Sequence, residues 1–67
     1  MNLKAERLNR GLSTRDAAEK IGVSQAILMR AEDGRGVRPA HAKRIADFFG
    51  VRVTDIWPVE NGSEAAA

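Results

Sequence analysis

Apolar residues recur along this chain at helical rather than strand spacing, in five short stretches separated by glycine, proline and helix-capping residues. Leu3, Leu8 and Leu12, set among Lys4, Arg7 and Arg10, predict a first helix with a polar back that stops near Gly11. Ser13 caps a second helix, with Asp16 three residues on placed to reach back as a capping box. Ala17, Ala18 and Ile21 form its apolar stripe, and Gly22 ends it, because glycine accepts the left-handed conformation of a C-terminal cap.

Only Gly22 and Val23 intervene before Ser24, again a capping residue, and helical patterning resumes from Ser24 to Asp33 and stops at Gly34. Two short helices joined by so brief a glycine-containing turn cross steeply rather than pack antiparallel. After a basic loop from Arg35 to Arg38, Pro39 opens a fourth helix with Ala42, Ile45, Ala46 and Phe49 on one face and Gly50 at its end. Val51 and Val53 read as buried connections. Thr54 then caps a last turn containing Ile56 and Trp57, which Pro58 cannot extend. The expected fold is all-α, with five helices in a single domain over residues 1–58 and a short disordered tail over residues 59–67.

Placed on a wheel at about 100° per residue, the third helix separates into two arcs. Ser24, Ile27, Leu28 and Ala31 share the arc expected to face the core, and Gln25, Ala26, Met29, Arg30 and Asp33 share the opposite one. The outward arc has chemistry suited to base edges in a DNA major groove. Gln25 can bond adenine through both ends of its amide, Arg30 can take a guanine edge or a phosphate, and Ala26 and Met29 can pack on thymine methyl groups. An exposed Gln and Arg alone would more often be a solvated helix face. Met29 argues otherwise, since a flexible apolar side chain turned outward is better explained by a partner than by water.

Charge and composition sharpen this reading. The net charge is only +2, but all eleven Lys and Arg lie at or before Arg52 among six carboxylates, a balance of +5, whereas Asp55, Glu60 and Glu64 leave −3 beyond it. A basic body with an acidic end suits contact with a polyanion. Ser13, Thr14 and Arg15 at the start of the second helix, Ser24 at the start of the third, and Arg35 and Arg38 in the following loop flank the outward arc as candidate phosphate contacts. With 67 residues, 43% of them hydrophobic, the chain has a core for one small domain and none to spare for a substrate cavity.

The absence of cysteine excludes disulfides and thiolate metal sites and fits a reducing compartment. No apolar run approaches the length of a membrane span, and the N-terminus lacks a signal-peptide core, so the expected location is cytoplasmic and nucleoid-associated. His41 has no His or Cys nearby and reads as an exposed helix residue. No nucleophile triad, phosphate loop or carboxylate pair stands out, so neither an enzyme nor a metal, cofactor or small-molecule ligand is expected. Phe48, Val53, Ile56 and Trp57 gather more apolar area near the C-terminus than so small a domain covers easily. They are the expected surface of a homodimer.

The stretch GLSTRDAAEKIGVSQAILMRAEDG resembles the helix-turn-helix core of phage repressor and Cro proteins, the Cro/cI or XRE type, and RPAHAKRIADFFGVRVTDIW resembles that family's fourth and fifth helices. The resemblance covers roughly residues 3–58. It implies a lambda-repressor-like domain without catalysis, usually a homodimer on a palindromic operator in double-stranded DNA. It also implies that Gln25 contacts a base, that Ala26, Met29 and Arg30 occupy the other base-facing positions, and that Arg7 and Glu32 form a structural ion pair tying the first helix to the third. One departure is Thr14, where the family often has an amide that grips a phosphate and braces the recognition Gln.

The leading expectation is a transcriptional repressor. Two readings compete with it: a protein-interaction module such as an antitoxin or antagonist, and a DNA-bending recombination accessory factor. Only nine residues follow Pro58, little for the wrapping segment an antitoxin needs.

Overall fold

The computed structural model describes residues 1–58, and the expected tail over residues 59–67 lies outside them. Five helices follow in order: α1 Leu3–Asn9, α2 Thr14–Ile21, α3 Gln25–Glu32, α4 Pro39–Phe49 and α5 Val53–Ile56. The described residues contain no strand.

Local chemistry sets most of the boundaries. The Asn2 side chain accepts the Ala5 N–H at 3.0 Å, Ser13 Oγ accepts that of Asp16 at 3.0 Å, and Ser24 Oγ accepts that of Ile27 at 3.1 Å. Each bond satisfies one of the donors a helix start leaves free. Asp16 makes no return bond to Ser13 among the described residues, so this cap is one-sided. Ser24, placed by the wheel on the inward arc, is exposed as the cap of α3 instead. At the other ends, Gly22 and Gly50 cap α2 and α4 in the left-handed conformation.

The core is built around Leu28 and Ile45, which are fully buried. Ala17, Ala18 and Ile21 of α2, Ala31 of α3, Ala46 and Phe49 of α4, Leu3 of α1 and Ile56 of α5 close around them. The central element is α3, which packs against α1, α2 and α4. Small alanines on α2 and α3 let the two backbones approach closely. Both helices are held on one face by the core and left free on the other.

Four further expectations are corrected. Leu8 is 57% exposed, and the inward position on α1 belongs to Arg7, one turn after buried Leu3. At about 100° per residue, Leu3 and Arg7 share a face that Leu8 has already turned away from. Val53 is not a buried connection, being 39% exposed. Thr54 does not cap the last turn: the cap is Arg52, two residues earlier, because the Asp55 carboxylate accepts the Arg52 N–H at 3.0 Å and so closes a turn that starts at Val53. Trp57 follows the helix as its C-cap rather than sitting within it.

Candidate nucleic-acid interface

The outward face of α3 is determined by the burial of the opposite one. With Leu28 and Ala31 in the core and Ile27 half-buried, helical geometry turns Gln25, Ala26, Met29 and Arg30 to the surface, where all four are exposed. Met29 is 54% exposed, an unusual position for a large apolar side chain on a small domain. Gln25 is the first residue of the helix, beside backbone N–H groups that carry the positive end of its dipole. No acidic residue lies in that first turn.

The surroundings of this face come from three other segments. On one side Lys4 of α1 and Thr14 of α2 line a depression together with Met29, Glu32 and Asp33. On the other, Arg35 lines a second depression with Ala26, Met29 and Arg30. The row from Gln25 to Arg30 is therefore bordered by a Lys on one flank and an Arg on the other. Lys4 was not among the residues singled out from the sequence. By sequence it is one more polar residue on the back of α1, and only the packing of α1 on α3 places it here.

Ser13 and Ser24 are exposed, with their hydroxyl oxygens occupied in capping. Thr14 is half-buried and Arg15 exposed in the first turn of α2, and no hydrogen bond joins Thr14 to Gln25 among the described residues. Arg35 and Arg38 are both exposed. Arg30 is exposed but committed in part: its Nε donates to the Gly36 carbonyl at 2.6 Å, which leaves its terminal nitrogens for another partner.

Glu32 borders the outward row, but its carboxylate is engaged by Arg7. Arg7 Nε donates to Glu32 Oε2 at 2.7 Å and Nη2 to Oε1 at 3.4 Å, so the carboxylate is neutralised at the junction of α1 and α3. The turn between α2 and α3 has a support that the residue pattern did not suggest. Arg44 of α4 reaches back so that Nη1 donates to the Gly22 carbonyl at 3.2 Å.

The C-terminal apolar residues divide by environment. Ile56, at 7% exposure, belongs to the core of the domain and offers almost no surface. Phe48 is half-buried, edge-on to Phe49 at 5.0 Å, with the Arg10 guanidinium 6.0 Å from its ring and 4.9 Å from that of Phe49. Val53 and Trp57 line an open apolar groove of about 350 Å³ with Gly36, Val37, Pro39 and Ala42. His41 is half-buried rather than exposed, because the first turn of α4 holds it against the body of the domain with Nδ1 enclosed and unpartnered.

Among the described residues no three His, Asp or Glu side chains are grouped to hold a metal ion, and no helix is long and apolar enough to cross a membrane. Comparison with curated proteins and with solved structures returned no significant match. Comparison with family models returned one described as helix-turn-helix, matched over residues 3–56. That span runs from the first residue of α1 to the last of α5 and contains the whole outward row of α3 with both of its flanks. The chain thus belongs to the helix-turn-helix family of the Cro/cI, or XRE, type, and is a DNA-binding regulator.

Proposed function

We propose that this protein is a transcriptional repressor that occupies a palindromic operator as a homodimer, with α3 of each protomer in the major groove. The observation that carries this reading is the outward row of α3: an amide, a small apolar residue, a Met and an Arg, all exposed, with no acidic residue in the first turn. Gln25 reads an adenine through N6 and N7, and Ala26 and Met29 pack on thymine methyl groups. Arg30 reaches a guanine edge or a phosphate with its terminal nitrogens. Ser13, Thr14, Arg15, Ser24, Arg35, Arg38 and Lys4 hold the sugar-phosphate backbone to either side.

So few base contacts give one protomer little discrimination, and two protomers on a two-fold site multiply it. Val53 supplies exposed apolar area for the dimer, beside the groove that half-buried Trp57 helps to line. The two α3 helices would then lie about 34 Å apart, one turn of DNA.

Selection of bound sequences from a random duplex pool tests the proposal. A palindromic motif with half-sites one turn apart is expected, and absence of enrichment would favour a protein-binding role instead. On the best site Gln25→Ala is expected to cost about 1–3 kcal/mol and to relax preference at one base pair, whereas Arg38→Ala weakens all duplexes alike and flattens the salt dependence by about one unit. Sedimentation showing a monomer both free at high concentration and on the selected site would exclude the homodimer.

A further inference from the structure

The loop between α3 and α4 carries Arg35 and Arg38 and has no regular structure. Gly34 and Gly36 flank Arg35, so the chain on either side of it has the widest conformational freedom available. A guanidinium on such a segment would lose much of its affinity for a phosphate in ordering the loop. The loop is nonetheless held, because two adjacent carbonyls are taken by side-chain donors from different parts of the domain. Arg30 Nε, in the last turn of α3, donates to the Gly36 carbonyl at 2.6 Å. Trp57 Nε1, just beyond α5, donates to the Arg35 carbonyl at 2.9 Å. The Arg35 N–H is also used, donating to the Arg30 carbonyl at 3.0 Å.

From these bonds we infer that Trp57 is a positioning residue for DNA binding: its indole N–H, by holding the Arg35 carbonyl, fixes the basic loop so that Arg35 and Arg38 are presented to phosphates beside α3. This rests on the DNA reading proposed above. The indole ring lines the groove whose other wall is Gly36, Val37 and Pro39, so the ring and its N–H both act on the same segment. Arg30 is the second clamp. Its place on the outward face of α3 means that a contact made by its terminal nitrogens and the orientation of the loop are set by one side chain. The chemistry that fixes the loop is the donor on the indole nitrogen, which separates this role from ordinary apolar packing of the ring.

Trp57→Phe keeps an aromatic ring and removes the donor. Binding of wild-type and variant to a fluorescein-labelled duplex of mixed sequence is measured by anisotropy over a series of salt concentrations. The variant is expected to bind about 3–10-fold more weakly at low salt, with a slope of log K against log salt shallower by about 1–2 per protomer, as for the loss of up to two phosphate contacts. A Trp57 that only filled space would lower the melting temperature and leave the slope of the folded protein unchanged, which would overturn the inference.

If Trp57→Phe does not fold, the benzothienylalanine analogue, introduced by chemical synthesis, keeps the ring shape without the N–H, and the same two outcomes apply. Failure of the wild-type protein to bind the duplex at any salt concentration would instead overturn the DNA reading itself.

Discussion

Arg7 of α1 and Glu32 of α3 meet as a two-point ion pair, Nε to Oε2 at 2.7 Å and Nη2 to Oε1 at 3.4 Å. Their side chains are only 9% and 10% exposed. The remaining nitrogen of the guanidinium donates to the Leu12 carbonyl at 2.9 Å. One side chain therefore joins α1, the approach to α2 and the last turn of α3.

Removing one partner of such a pair leaves a charge buried without compensation, at a cost of about 3–5 kcal/mol. That equals the roughly 3–5 kcal/mol of net stability a core this small supplies. Glu32→Ala is expected to leave the domain largely unfolded by circular dichroism at room temperature. The double variant R7M/E32L, which removes both charges and leaves only the Leu12 carbonyl without its donor, is expected to recover a cooperative melt. Single variants that melt with the wild type would show that the pair contributes nothing.

The turn between α2 and α3 depends on Gly22, whose φ of 90° is left-handed. A β-carbon there would also meet Arg44 Nη1 at 3.0 Å, on the side chain that donates to the Gly22 carbonyl. An L-residue in this conformation costs about 1–2 kcal/mol, and the Arg44 contact must shift as well. Gly22→Ala is expected to lower urea-unfolding stability by about that amount. It should also weaken DNA binding beyond the loss of folded protein, since the turn sets α3 relative to α2. Wild-type stability in the variant would mean that the turn tolerates a β-carbon at this position.

The elements most legible in the sequence were those with local causes. Ser13, Ser24 and Pro39 mark helix starts and Gly22 and Gly50 mark ends through chemistry confined to a few residues, and the exposed row of α3 follows from helical geometry once Leu28 and Ala31 are assigned inward. What periodicity missed lay in contacts between distant segments. It put Leu8 inward because Leu is apolar, whereas a guanidinium took that face of α1, paired with a carboxylate 25 residues away. The family resemblance supplied that pairing; spacing could not. Bonds from Arg30, Arg44 and Trp57 to backbone carbonyls leave no signature in residue order, so the supports of the loop and the turn were invisible. At α5 the cap is Arg52 rather than Thr54, because the Asp55 carboxylate accepts both the backbone N–H and the guanidinium of Arg52, a pairing that residue type alone does not signal.

That cap makes α5 sensitive to acid. The Arg52 backbone N–H bonded to the Asp55 carboxylate, assisted by the Arg52 guanidinium, holds its pKa below the ordinary carboxylate value. A carboxyl whose folded pKa is lowered stabilises the fold above its unfolded pKa, near 4, and loses that contribution as pH falls through the lower folded value. The turn containing Val53 and Ile56 is thus expected to loosen below about pH 4. Trp57, the only Trp in the chain, reports this as a change in fluorescence on acid titration. In Asp55→Asn that transition should be absent. An identical acid transition in the variant would assign it to another carboxyl.

Asp33 is the one acidic residue on the outward side of α3, where it caps the C-terminal end and lines the depressions on both flanks of the row. Among the described residues it has no ion-pair partner. At that end the carboxylate opposes the helix dipole, by about 0.3–1 kcal/mol. In the proposed complex it also faces DNA phosphates, whereas the Gln25 end presents no such repulsion. The asymmetry favours the proposed entry of α3 into the groove with its N-terminal end leading. Asp33→Asn, which keeps a residue tolerated at helix ends, is expected to raise the melting temperature slightly and to tighten binding to a mixed-sequence duplex about threefold at low salt. The gain in affinity should fade as salt rises, because the repulsion it removes is screened. A variant that binds no tighter than wild type at low salt would place Asp33 away from the backbone and α3 in another orientation.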